Sequence, residues 1–220
     1  SASESPKYSH SKNADGDSVF IATELLGRPT EQSITINALA RNDLEVYFEY
    51  GTEPSNYINQ TDIKLFPGGE AIEMIIDQLS PNTRYYYRIR FRQPDVVEFK
   101  TGEQRSFHTQ RARGNSFTFA VEADPHLDEQ SNPEIYQRTL QNIRADKPDF
   151  LIDLGDNFMS DKIPEINPGT PINYQTVVDR HLLLRGYYDS TCHSVPLFLV
   201  IGTHEGELGW ELNGTAENVA

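Results

Sequence analysis

The sequence has one cysteine and no long apolar run, and each of these scarcities excludes a class of protein. Cys192 has no second cysteine to pair with, so no intrachain disulfide can form. No stretch approaches the roughly 18 consecutive apolar residues of a membrane-spanning helix, so we expect no membrane span. No apolar segment stands near the N-terminus either, so no signal peptide is visible, while a first residue Ser1 is compatible with a processed chain.

Basic residues are also scarce, since 19 Lys and Arg stand against 33 Asp and Glu, giving a formal net charge of −14. Nucleic acid and anionic membrane surfaces both require a basic face, so we expect no nucleic-acid-binding face on this chain. A phosphate-containing substrate would need local positive charge, which a metal ion can supply. The oligomeric state stays open.

Composition and periodicity divide the 220 residues into a tail and two domains. Residues 1–17 are polar and have no hydrophobic period, which is typical of a flexible tail. Residues 18–112 contain short alternating runs separated by turn sequences, and this pattern predicts an all-β sandwich. Residues 113–220 alternate strand and helix patterns, which predicts an α/β domain. The domain boundary is predicted within residues 111–116.

One turn of the predicted sandwich carries a sharper signal. The segment from Leu79 to Arg88 resembles the turn and following strand of a fibronectin type III domain, in which a tyrosine at the strand start bonds back to the backbone. Tyr85 would be that corner tyrosine. The alternative is an ordinary hairpin strand with exposed tyrosines, and the strand-like runs on either side favour the sandwich.

Three apolar runs in the second domain predict parallel strands at 117–121, 150–154 and 197–201. Between them, a helix is predicted from 132 to about 145, because it opens with an Asn cap followed by Pro and an acid. A second helix is predicted over 174–188. The result is a β-α-β-α-β order with right-handed crossovers.

Polar residues with metal-binding side chains follow each of these strands. The segments are Asp124-Pro125-His126, Gly155-Asp156-Asn157 and Gly202-Thr203-His204-Glu205. The carboxyl ends of neighbouring parallel strands meet at one edge of a sheet, so carboxylate and imidazole groups there can converge on a cation. Asp124 or Asp156 alone would be interpreted as a turn cap. Together with His126 and His204, they predict a metal site.

These segments resemble the first three blocks of the calcineurin-like metallophosphoesterase superfamily, which are D-x-H, G-D-x and G-N-H-[DE]. The match covers roughly residues 117–210. A fibronectin-like domain ahead of it is similar to the arrangement in purple acid phosphatases and related secreted phosphatases. The resemblance implies that Asp124 and His126 bind the first metal ion and that Asp156 bridges two ions. It also implies that His204 lies beside the phosphate as the catalytic histidine.

The sequence departs from the family pattern at three points. The family's third block has Asn as a ligand of the second metal, and Thr203 stands at that position. A hydroxyl is a poorer and shorter ligand, so the second metal is expected to be weakly bound, bridged by water or differently ligated. Met159 replaces the tyrosine of purple acid phosphatases, so no tyrosinate–iron(III) centre is expected. No histidine follows His204, so only the first half of the metallophosphoesterase-type domain is expected here.

The resemblance implies a hydrolase of phosphate mono- or diesters, in which a metal-bound hydroxide attacks phosphorus. It implies two metal ions, drawn from Zn, Mn, Fe and Co, and an extracellular or periplasmic location. Two alternatives stay open. One is a catalytically degraded binding or adhesion protein whose sandwich does the work, which Thr203 favours. The other is a nucleotidase or pyrophosphatase, which would use the same chemistry.

Overall fold

The computed structural model describes residues 18–127, 131–158 and 174–204. The predicted tail at 1–17 lies outside the described residues, as does Met159. Within 18–127, the strands that precede residue 113 are β1 (Phe20–Gly27), β2 (Ile34–Ala40), β3 (Leu44–Gly51), β4 (Asn59–Gln60), β5 (Lys64–Phe66), β6 (Ala71–Ile76), β7 (Arg84–Arg92), β8 (Lys100–Thr101) and β9 (Arg105–His108).

These strands form two antiparallel sheets. One has the order β1-β2-β6, and the other is built on the β3–β7 pair, with β4 and β5 on β3 and with β8 and β9 on β7. Strand β6 shows why they pack, because Ile72, Met74 and Ile76 are buried while the residues between them are exposed. They join one core with Tyr87 and Phe48 of the other sheet. Burial of each such side chain contributes about 1.5–3 kcal/mol.

The predicted tyrosine corner is present. The backbone N–H of Ser80 donates a hydrogen bond of 2.9 Å to the Tyr85 hydroxyl, and the Tyr85 ring stacks on Phe107 of β9. The β-sandwich expected for residues 18–112 is therefore observed, while the exact domain boundary stays a prediction.

The remaining described elements are β10 (Phe119–Glu122), α1 (Pro133–Asp146), β11 (Phe150–Asp153), α2 (Tyr174–Tyr188) and β12 (Leu197–Leu199). The three strands are parallel, as the sequence pattern predicts, and they lie in the order β10-β11-β12. Asn132 caps α1, since its side-chain oxygen accepts from the backbone N–H of Glu134 at 3.0 Å and of Ile135 at 3.3 Å. Whether these elements are half of a larger α/β domain stays a prediction.

Both helices cover the same face of the parallel sheet. Leu140 of α1 and Leu184 of α2 pack with Leu151 of β11 in one buried cluster. On the opposite face, Phe119 and Phe198 are about half exposed, at 50% and 43%. The strand ends beyond this sheet carry the predicted site.

Polar contacts join the sandwich to the helices. The Arg185 guanidinium of α2 donates to the backbone carbonyls of Thr23 and Asn37, both at 2.8 Å. The buried Tyr87 hydroxyl donates to the His193 carbonyl at 2.7 Å. These bonds tie one sheet of the sandwich to α2 and the other sheet to the segment that enters β12.

Candidate metal centre

Three of the predicted site residues meet at the carboxyl edge of the parallel sheet. The ligand atoms of His126, Asp156 and His204 all lie within 4.8 Å of one another. Each residue follows a different strand, namely β10, β11 and β12. The parallel sheet therefore brings together side chains that are up to 78 positions apart in the sequence (204 − 126).

The backbone continues its parallel pairing beyond the strands and thereby fixes these loops. The Asp124 N–H donates to the Gly155 carbonyl at 3.0 Å, and the His126 N–H donates to the Asp156 carbonyl at 3.3 Å. Asp124, His126 and Asp156 all adopt left-handed backbone, with φ of 57°, 43° and 55°. Left-handed backbone at a residue other than glycine costs on the order of 1–3 kcal/mol and concentrates at functional sites. The loops therefore hold three strained residues around one point.

Asp156 is the carboxylate of the group formed with His126 and His204, and hydrogen bonds hold it in place. Its Oδ1 accepts the backbone N–H of His204 at 2.8 Å. The Thr203 hydroxyl donates to both carboxylate oxygens, at 3.2 and 3.3 Å. Burial alone would raise the pKa of Asp156, but the His204 N–H, the His204 charge and the Thr203 hydroxyl outweigh it and lower that pKa. Asp156 is thus kept ionised, as a metal ligand requires.

The structure places the other predicted site residues around this group. Asp124 is exposed, and its Oδ1 lies 3.4 Å from Nε2 of His126, so its carboxylate contacts the group without belonging to it. Thr203 is engaged with Asp156 through its hydroxyl. His204, predicted to serve the phosphate, lies edge-on to His126 with ring centroids 5.2 Å apart. The roles of all five residues stay predictions.

The donor set fits a transition-metal cation. Imidazole and carboxylate groups are ligands that Zn, Mn, Fe and Co accept. Nε2 of His126 is buried and has no hydrogen-bond partner among the described residues. Ligand atoms on one tetrahedral ion are ~3.3 Å apart, so atoms that lie up to 4.8 Å apart would have to move closer together around a cation. The residues present can therefore hold a metal ion.

A network of acidic and tyrosine side chains next to the site was not predicted from the sequence. Glu122 and Asp153 are register partners on β10 and β11. Burial raises the pKa of Glu122 to about 8, helped by the Asp153 charge, and its Oε1 accepts from the Tyr136 hydroxyl at 3.2 Å. Asp153 is fully buried and accepts from the Tyr188 hydroxyl. The available signal was an acidic residue within otherwise apolar strands.

No protein-family model matches the chain, and no curated protein matches it. A solved structure of PhoD has a similar fold, with a TM-score of 0.61 and 16% identity over 86% of this chain and 40% of that chain. The chain thus spans 40% of the length of PhoD. At this identity the likeness shows the fold alone.

Shorter matches are to fibronectin type III domains. A human fibronectin type III domain, from fibronectin type III domain containing protein 3, matches with 17% identity over 49% of this chain and 98% of that chain, at a TM-score of 0.33. The sixth such domain matches with 18% identity over 43% and 88%, at a TM-score of 0.31. At these TM-scores the matches carry no argument, and the assignment of a β-sandwich rests on the strand pairing in this chain. In the described part of the chain, no helix is both long and apolar enough to cross a membrane.

Proposed function

We propose that this chain is part of a metal-dependent phosphoesterase that hydrolyses phosphate mono- or diesters. The observation that carries the proposal is the convergence of His126, Asp156 and His204 within 4.8 Å at the carboxyl edge of a parallel sheet. The resemblance of the three strand-end segments to the calcineurin-like blocks supports the same chemistry. The fold likeness to PhoD agrees with it, although the activity of the whole protein is a proposal because the chain spans 40% of that length.

In this proposal His126 and Asp156 hold metal, and Asp124 lies beside His126 to complete the first site. One or two bound metal ions would neutralise phosphate charge and activate a water molecule. A cation is also the means by which a chain of net charge −14 could attract a phosphate ester. His204 would donate a proton to the leaving oxygen or stabilise charge on a phosphate oxygen. A location outside the cytoplasm belongs to the same proposal.

Hydrolysis of two chromogenic esters tests this function. The protein is incubated with Zn, Mn, Fe or Co and assayed on p-nitrophenyl phosphate, a monoester, and bis-p-nitrophenyl phosphate, a diester. D156N is expected to lower kcat/KM by about 100-fold or more, because the ligand charge is lost. The matched control is D179N, an exposed carboxylate on α2 that accepts from Gln175, which should retain the wild-type rate. Equal rates for wild type and D156N would refute the proposal.

A catalytically degraded binding protein is the second candidate. The observation that favours it is that the Thr203 hydroxyl donates to Asp156. The calcineurin-like family, which this segment resembles, has a metal-binding asparagine at that position. In this case the sandwich would carry the binding or adhesion function. The same metal content in wild type and in a variant that lacks the Asp156 carboxylate would support this candidate.

A further inference from the structure

Asp153 is the last residue of β11, and its side chain is fully buried among the helices. Taking a carboxylate out of water costs several kcal/mol unless hydrogen bonds replace the lost solvation. Such a group is retained in a core only where its partners are well placed. The identity of those partners shows what this carboxylate does.

Three donors surround the Asp153 carboxylate. Its Oδ1 accepts the backbone N–H of Gly155 at 2.8 Å and the Nδ2 amide of Asn157 at 3.1 Å. Its Oδ2 accepts the hydroxyl of Tyr188, at the end of α2. One oxygen therefore holds the loop after β11, and the other is anchored on the helix layer.

The two loop donors flank Asp156 on either side. Gly155 and Asp156 both have left-handed backbone, with φ of 86° and 55°. A turn of this kind persists only where its surroundings over-determine it. Oδ1 of Asp153 gives that constraint, because it binds the residue before Asp156 and the residue after it. Charge-assisted hydrogen bonds are about twice as strong as neutral ones, which suits this task.

We infer that Asp153 is a positioning residue that fixes the Asp156 carboxylate in the direction of His126 and His204. It acts through the 155–157 loop and does not itself touch metal or substrate. The inference rests on the proposed function, in which Asp156 holds metal. An Asp that merely capped the turn would affect the free energy of unfolding and leave the metal affinity of the folded protein unchanged.

Cobalt binding separates these two roles without using activity. The full chain is titrated with Co²⁺ and followed by its visible absorption, at a temperature where circular dichroism shows each variant folded. D153N keeps the side-chain volume but loses the charge and one acceptor oxygen. We expect it to weaken Co²⁺ binding by about 10–100-fold, as loss of an outer-shell partner typically does, and to alter the absorption band.

The matched control is T191V. Thr191 is fully buried in the same layer, and its hydroxyl donates to the Leu140 carbonyl at 2.9 Å. This variant loses a buried hydrogen bond, so it should be destabilised while its Co²⁺ affinity stays within about threefold of wild type, because the Thr191 hydroxyl bonds to α1 and not to the 155–157 loop.

The outcomes distinguish the inference from the function on which it rests. Co²⁺ binding that is absent from wild type, or unaffected by D156A, would overturn the proposed function. Binding that D156A abolishes but D153N leaves unchanged would overturn the role of Asp153 alone. If D153N fails to fold, N157A decides the matter, because it removes the Nδ2 donor and should weaken binding by about tenfold. Unchanged affinity in N157A would then overturn the inference.

Discussion

The backbone of Gly202 occupies the space in which Gly155 would carry a Cβ atom. A Cβ on Gly202 would in turn collide with the backbone N and the carboxylate of Asp156. The loops after β11 and β12 therefore touch through their glycines, and this contact brings the His204 N–H within 2.8 Å of Asp156. The two glycines of the strand-end segments are required by the close approach of two backbones.

G155A should therefore damage both stability and metal binding. The alanine Cβ would meet the Gly202 backbone, and its φ of 86° is strained for any residue with a side chain. We expect the free energy of unfolding to fall by about 2–4 kcal/mol in urea denaturation. G186A is the control, because Gly186 lies in α2 with nothing within 4 Å of an added Cβ. It should gain up to about 1 kcal/mol, and an equal loss in both variants would contradict this explanation.

Arg185 should stabilise the contact between sandwich and helices. R185M leaves the Thr23 and Asn37 carbonyls without their donor, so we expect a loss of about 2–4 kcal/mol in the free energy of unfolding. R144M removes an exposed arginine that donates to the Ser190 carbonyl at 3.0 Å, and it should cost less than about 1 kcal/mol. Similar losses for the two variants would show that the Arg185 contacts do not join the layers as described.

His193 should make the protein less stable in mild acid. Burial and, to a smaller extent, the charges of Arg105 and Arg144 together lower the pKa of His193 to about 3, while Nδ1 contacts the Ser194 hydroxyl at 2.7 Å. Its folded pKa is below the ordinary 6.5, so below pH 6.5 the unfolded chain takes up the proton first. The free energy of unfolding is therefore highest above pH 6.5, and the contribution of His193 lowers it progressively as the pH falls towards 3.

Between pH 7 and pH 5.5 this histidine should account for about 1 kcal/mol of lost stability. Urea denaturation gives the free energy of unfolding of wild type and of H193N at both pH values. The amount by which wild type loses more stability than H193N between the two pH values is the contribution of His193. Parallel pH dependences for the two proteins would mean that His193 is not held neutral in the folded state.

T203N tests the interpretation of Thr203 as a lost ligand. An asparagine offers an amide oxygen to a second cation while its NH₂ group can still donate to Asp156. We expect metal content to rise towards about two ions per chain, with a higher rate of ester hydrolysis. T203V, which removes the hydroxyl donor and adds no ligand, should not raise either quantity. Unchanged metal content in T203N would mean that another group already serves the second position.

Much of the fold could be predicted because its signals are local. The second helix is predicted over 174–188 and observed as Tyr174–Tyr188, and the predicted cap at Asn132 is present. The Ser80–Tyr85 bond spans five residues, so a single turn sequence predicts it. The site residues could be proposed because each follows an apolar run at the same edge of the sheet.

The rest depends on contacts between distant residues. The Arg185 bonds to the sandwich span 148 and 162 residues, and no local pattern indicates them. Strand β11 is only four residues long, too short for alternation to show that Asp153 faces inward. Asp124 is exposed and has a left-handed φ of 57°, although its Oδ1 lies 3.4 Å from Nε2 of His126, and no local pattern indicates this combination. These features follow from packing.

The measurement that tests the central claim most directly is the metal content of the purified chain, determined by elemental analysis for wild type and for D156A. The account predicts at least about one transition-metal ion per wild-type chain and its loss in D156A, since Asp156 is the carboxylate of the three-residue group. D179A, which removes an exposed carboxylate of α2, should retain the wild-type content. Wild-type protein without metal after incubation with Zn, Mn, Fe or Co, or D156A with the same content as wild type, would contradict the account.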